Sequence, residues 1–111
     1  MSVEKRRSPR VYRRFILRAA LSGEGPLRWS FVTIHDLSAT GVLFTYDRPV
    51  KAGARLELKI DFPDRIIECQ GIVVRVGGTR EGAFHDVAAR LENIYPTDQQ
   101  YIEGFVRQNT A

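Results

Sequence analysis

The most regular pattern in the chain is at residues 55–61, where polar and apolar side chains alternate without a break. A period of two places the apolar side chains on one face of a β-strand and the polar side chains on the other. This segment is therefore predicted to be a half-buried strand with one face in water.

Five further apolar segments are rich in β-branched and aromatic residues and also predict strands. They are residues 11–21, 27–34, 41–46, 66–76 and 83–91. The segments between them are rich in Gly, Pro, Asp and Ser, which are the residues of turns. Within 66–76 the apolar phase changes at Gly71, which predicts a bulge or a sharp bend at that glycine.

The period changes near the C-terminus. Thr97 and Gln100 have the spacing of a capping box, and Asp98 suits the positive end of a helix dipole. The apolar side chains that follow form one narrow helical stripe: Tyr101, Ile102, Phe105 and Val106. Six closely spaced strands followed by one helix predict a mainly β protein, an antiparallel barrel or sandwich.

The positive charge of the chain is concentrated at its N-terminus. Residues 1–18 contain seven basic side chains and one acidic side chain, whereas residues 19–111 contain ten basic and twelve acidic ones. Residues 1–10 have one large apolar residue, Val3, so we expect a flexible basic arm ahead of a domain at 11–111. A concentrated cationic segment indicates an anionic partner, such as phosphate, nucleic acid or an acidic surface.

Composition and length narrow the class of protein. A chain of 111 residues with 43% hydrophobic and 27% charged residues is typical of one globular domain. No apolar run is long enough to span a membrane, and no apolar core of a signal peptide follows the basic start. Cys69 has no second cysteine to pair with, which favours a reducing cytoplasm, and its apolar surroundings predict a buried core residue.

No motif indicates an enzyme or a metal site. His35 and His85 each precede an aspartate, but no nucleophile accompanies them, and ordinary strand histidines are the simpler interpretation. No Cys/His cluster has metal-ligand spacing. Trp29, Phe31 and Phe44 are compatible with a stacking platform for single-stranded nucleic acid, but packing in the core or on the barrel face is the favoured role.

The stretch 36–41 joins two predicted strands and carries candidate chemistry. Asp36 and Ser38 are two residues apart, which places a carboxylate and a hydroxyl on the same side of an extended chain. Gly41 allows close approach to the backbone. The segment is either a well-formed hairpin corner or one half of an anion or nucleotide site.

The basic arm contains a candidate second half of such an anion or nucleotide site. Arg6 and Arg10 are four residues apart there, and Arg7 lies between them. The planar guanidinium donates paired hydrogen bonds that suit phosphate and the O6/N7 edge of guanine. From the arm alone, a solubilising tail is an equal alternative.

Together, Arg-x-x-x-Arg at 6–10 and Asp-x-Ser-x-x-Gly at 36–41, about 25 residues later, resemble the signature of the PilZ domain family. The resemblance extends over nearly the whole chain, including the stretch 71–76 and the closing helix. It implies a six-stranded antiparallel β-barrel with a C-terminal helix and a flexible N-terminal arm. It also implies a bacterial receptor for the second messenger cyclic di-GMP, with no other cofactor.

The resemblance also implies roles for individual residues. Arg6 and Arg10 would bind guanine edges and phosphates, and Arg7 would add charge. Asp36 would accept from guanine N1 and N2 or position an arginine, Ser38 would bond a phosphate or base edge, and Gly41 would leave room for the ligand. In this family a basic residue at the position of Lys5 is linked to a stacked pair of ligands, which favours two per site.

The receptor interpretation predicts that ligand binding folds the arm over the barrel and switches a contact with a downstream protein, in motility or biofilm regulation for example. Two alternatives remain open. One is a nucleic-acid-binding barrel that uses the basic arm, with steep salt dependence. The other is a PilZ-like adaptor that acts through protein contacts without a ligand.

Overall fold

Six strands and one helix form in the computed structural model, which describes residues 15–23, 25–79 and 84–108. The elements are β1 (Ile16–Leu21), β2 (Ser30–Leu37), β3 (Gly41–Tyr46), β4 (Arg55–Phe62), β5 (Arg65–Thr79), β6 (His85–Glu92) and α1 (Pro96–Gln108). The predicted mainly β architecture with a C-terminal helix is confirmed. The proposed arm at residues 1–10 lies outside the described residues.

The strands close into an antiparallel barrel in the order β1-β2-β3-β6-β5-β4, so the barrel alternative is correct and the sandwich is not. The barrel consists of two consecutive three-stranded meanders, β1–β3 and β4–β6. They join at two seams, where β3 pairs with β6 and β1 pairs with β4.

The core occupies the barrel interior and follows from strand alternation. In β4 every second side chain is buried, as the pattern predicts: Leu56, Leu58, Ile60 and Phe62. Phe44 and Tyr46 are completely buried from β3, and Cys69 is buried in β5, as predicted. Burying each large apolar side chain stabilises the fold by about 1.5–3 kcal/mol before entropy is counted.

Helix α1 packs on this core through the predicted stripe. Ile102 is completely buried, and the Phe105 ring packs against Phe62 and Phe15 at centroid distances of 4.7 and 5.7 Å. The predicted capping box at Thr97 is wrong. The Tyr95 carbonyl accepts the first helical hydrogen bonds, from the Asp98 and Gln99 amides, so the helix begins at Pro96, whose missing N–H needs no partner there.

Two strand predictions need correction. Gly71 does not mark a bulge, because inward burial continues in phase through Ile67, Cys69, Gly71 and Val73. The register with β6 shifts later, between Val73 and Arg75 and again between Val76 and Thr79. A Cβ at Gly71 would lie 2.9 Å from a Leu58 methyl carbon and 3.3 Å from the Ala89 Cβ, so interior packing favours glycine there. Strand β2 covers Ser30–Leu37 instead of 27–34, which places Asp36 within the strand.

Candidate functional site

Asp36 projects outward from the end of β2 because of a bulge one residue earlier. The β2–β3 register shifts between Ile34 and Asp36, so His35 is the extra residue. Leu37 is buried, and Asp36 therefore faces solvent. In the described part of the chain its carboxylate forms no hydrogen bond or ion pair, so both oxygens are open to an incoming donor.

Ser38 builds the turn that follows Asp36. Its Oγ accepts hydrogen bonds from the amides of Thr40 at 3.2 Å and Gly41 at 3.1 Å, and its own amide donates to the Gly41 carbonyl at 2.9 Å. The hydroxyl thereby replaces backbone partners in a tight connection, as Ser often does in turns. This role agrees with the hairpin-corner interpretation of residues 36–41.

Gly41 begins β3 at the seam with β6. A Cβ at this position would lie 3.0 Å from the Ala89 carbonyl oxygen. The absence of a side chain is therefore a packing requirement between two strands, whatever room it also leaves for a ligand.

The β2–β3 turn is held from two sides. The Thr40 carbonyl accepts from the Leu91 amide on β6 at 2.9 Å, and the Ala39 carbonyl accepts from Gln99 Nε2 on α1 at 3.1 Å. These bonds fix the turn before any ligand binds.

A groove of about 550 Å³ separates the turn from the C-terminal half of α1. Its helical side carries Glu103, Val106 and Arg107, and the Arg107 guanidinium donates to the Glu103 carboxylate at 3.1 Å. The groove is thus bordered by Ser38, Ala39 and Thr40 on one wall and by Glu103, Val106 and Arg107 on the other.

The structure places Asp36, Ser38 and Gly41 at one edge of the barrel, although Ser38 lies in the turn and not in an extended chain with Asp36. Lys5, Arg6, Arg7 and Arg10 lie outside the described residues. The arginine half of the predicted site therefore stays a prediction.

A polar group beside this edge was not anticipated from the sequence. His35 Nε2 lies 2.6 Å from Thr45 Oγ1, which donates to Asp86 Oδ1 at 3.1 Å. The group links β2, β3 and β6 on the outer face. Its signal in the sequence was weak, because only the bulge at His35 and the distant pairing of β3 with β6 bring it together.

Metal binding, membrane spanning and cysteine reactivity are further properties of the described residues that bear on function. In residues 15–23, 25–79 and 84–108, no group of three or more His, Cys, Asp or Glu side chains could hold a metal ion. The described helix is too short and too polar to cross a membrane. Burial raises the pKa of the Cys69 thiol to about 12, and the negative charges of Asp98 and Glu57 add to this effect, so it is a poor nucleophile at neutral pH.

Comparison with known proteins gives one family and two similar folds. The sequence model of the PilZ domain matches residues 4–108. The Bacillus subtilis inhibitor of motility MotI/DgrA aligns with a TM-score of 0.71 and 16% identity, and K. pneumonia MrkH with 0.70 and 18%. Each alignment covers 96% of this chain and 51% of the other, so the chain spans about half the length of these structures. At such identities the likeness shows the fold alone, and no curated protein matches.

Proposed function

Because the chain belongs to the PilZ domain family, a cyclic di-GMP-binding family, we propose that it is a receptor for this dinucleotide. The observation that carries the proposal is that both signature motifs lie within the matched residues 4–108. The described motif supports it, because it presents a solvent-facing carboxylate and a hydroxyl on a turn that is already fixed.

In this proposal the described residues divide the recognition of guanine and phosphate. The Asp36 carboxylate accepts from the N1 and N2 donors of a guanine, since an ionised carboxylate offers only acceptors. The lone pairs of Ser38 Oγ are used by two backbone amides, so its hydroxyl acts as a donor. It exchanges its long hydrogen bond to the Gly41 carbonyl, 3.4 Å, for one to a phosphate oxygen. Gly41 keeps the strand beside this contact free of a side chain.

The basic arm supplies the positive charge that a ligand with two phosphates requires. Arg6 and Arg10 bind guanine edges and phosphates through their planar forks, and Arg7 adds a third cation. Binding orders the arm over the barrel, and the new surface changes a contact with a downstream protein. Family members are receptors and adaptors, which supports the expectation that this chain is not an enzyme.

The test is a calorimetric titration of the purified chain with cyclic di-GMP, with GMP and a short single-stranded DNA as controls. Arg6→Ala, Arg10→Ala and Asp36→Asn should each weaken binding at least about tenfold, because each removes a charge-assisted hydrogen bond worth about 1.5–3 kcal/mol. Asp47→Asn and Lys51→Ala change exposed loop charges and serve as matched controls that should bind normally.

Other outcomes would favour the alternatives. Unchanged affinity in both arginine variants would refute the site assignment. Salt-sensitive DNA binding without a response to cyclic di-GMP would indicate the nucleic-acid-binding barrel. If cyclic di-GMP, GMP and the DNA all give no heat, the remaining interpretation is the PilZ-like adaptor that acts without a ligand.

The same titration gives the number of ligands per site. Two ligands per chain are expected, and Lys5→Ala should reduce the stoichiometry toward one while keeping binding. One ligand per unmodified chain would contradict a role for Lys5 in holding a stacked pair.

A further inference from the structure

The outer face of β1, β2 and β4 carries a row of aromatic and cationic side chains. Arg18 on β1 is in register with Phe31 on β2 and with Lys59 on β4. The Arg18 guanidinium lies 5.9 Å from the Phe31 ring centre, and the Lys59 ammonium lies 4.7 Å from the centre of the Trp29 ring. We call these four residues the cation–aromatic surface.

This surface is apolar at its most exposed point. Phe31 is 74% exposed, whereas aromatic side chains of this size are usually buried in a core or an interface, where they contribute much of the binding or folding energy. Phe31 and Asp36 are five residues apart on β2, about 17 Å along an extended strand. The surface is therefore distinct from the proposed ligand site.

Its positive charges lack carboxylate partners in the part of the chain that the structure describes. Glu68 is directly opposite Lys59 on β5, but the two do not form an ion pair. The Nε atom of Arg18 is shielded from water and has no hydrogen-bond acceptor among the described residues, and an unsatisfied donor of this kind costs about 1–3 kcal/mol.

We propose that the cation–aromatic surface docks a protein partner that presents carboxylates beside an exposed apolar side chain. An acidic partner is favoured because its carboxylates would complement the positive charges of Arg18 and Lys59. Carboxylates of the partner pair with Arg18 and Lys59, and its apolar side chain covers Phe31. Trp and Arg are the residues that most often dominate the energetics of protein interfaces, and this surface has one of each.

Two other occupants fit the observations less well. A symmetric pair of these chains would bring the same patch together from both sides and place the Arg18 and Lys59 charges near their own copies. Single-stranded nucleic acid needs free aromatic faces, whereas the Lys59 ammonium lies over one face of Trp29 and the Arg18 guanidinium lies over one face of Phe31.

The experiment titrates the full chain, without cyclic di-GMP, with a panel of short peptides that combine Asp or Glu with one Leu or Phe. Matching peptides with Lys in place of the acids, and a short oligothymidylate, are the comparison probes. Binding is measured by fluorescence anisotropy and mapped by backbone amide chemical shifts. Since no dinucleotide is present, the result is independent of the proposed receptor function.

Acidic peptides should bind and shift amides on β1, β2 and β4, and Phe31→Ala or Lys59→Glu should each weaken binding at least about tenfold. Tyr95→Ala, which removes an aromatic ring that is 72% exposed elsewhere, and Lys51→Glu should leave it unchanged. The proposal is overturned if no acidic peptide binds, or if Phe31→Ala binds as well as the unmodified chain. It is equally overturned if oligothymidylate is preferred, or if Phe31 instead drives dimerisation in sedimentation velocity.

Discussion

Substituting Gly41 by alanine should destabilise the protein in the absence of any ligand. In the proposed receptor, room for a ligand would by itself explain the glycine. The structure adds a second reason, because a Cβ at Gly41 would lie 3.0 Å from the Ala89 carbonyl oxygen. That oxygen belongs to the backbone of β6 and cannot move away as a flexible side chain could.

The magnitude follows from two opposing effects. Forcing a methyl group into a filled space costs about 1–3 kcal/mol. Replacing glycine in a strand recovers about 0.5–1 kcal/mol of backbone entropy. A net loss of about 1 kcal/mol lowers the melting temperature of a domain of this size by about 4–8 °C.

Gly104→Ala is the matched control, because a Cβ there would meet nothing within 4 Å. The same chemical change should raise the stability of helix α1 by about 0.5–1 kcal/mol. Urea unfolding of the three ligand-free proteins measures both effects. If Gly41→Ala is as stable as the unmodified chain and loses only affinity for cyclic di-GMP, the packing explanation is wrong.

Three further predictions concern the interior and the helix contact. Gly71→Ala should lower the free energy of unfolding by about 1–3 kcal/mol, because its Cβ would lie 2.9 Å from a Leu58 methyl carbon; an unchanged urea midpoint would contradict this. Cys69, with its pKa raised to about 12 by burial, should react with Ellman's reagent only as fast as the protein unfolds, and rapid modification of the native protein would show otherwise. Desolvation and the hydrogen bond to Asp64 raise the pKa of Tyr101 from 10.0 to about 12. The folded state thus holds the Tyr101 proton more tightly than the unfolded state, so the contribution of this group to the free energy of unfolding is complete below pH 10 and is lost as the pH rises toward 12. Asp64→Asn should lower this pKa in an ultraviolet titration, and an unchanged titration curve would refute the contact.

Elements with one solvent-exposed face and one buried face were predicted well from the sequence. The alternation at 55–61 places Leu56, Leu58 and Ile60 in the core, as the structure shows. The helical stripe around Ile102 is equally local, because each helical residue's neighbours lie within four positions. The outward position of Asp36, in contrast, depends on the bulge at His35, which the alternation of residues 27–34 does not contain.

Features that depend on a distant strand could not be predicted in this way. A glycine that interrupts an apolar run has the same appearance whether it forms a bulge or leaves space for Leu58, so the reason for Gly71 was assigned wrongly. The contact of Gly41 with Ala89 requires knowledge that β6 lies beside β3. Likewise, the Gln99 contact that fixes the turn crosses from the last element of the chain to the middle of it.

The arrangement of the barrel as two meanders also determines when it can be completed during synthesis. Each meander pairs strands that are close in sequence, so β1–β3 and β4–β6 can form with short loop closures. The two seams join strands that are distant in sequence. Such contacts form slowly, because the chain loses loop-closure entropy before the contacts stabilise it. The seam between β3 and β6 cannot form until residues 85–90 have been made. The edge that carries Gly41 should therefore be among the last parts of the barrel to take its final form.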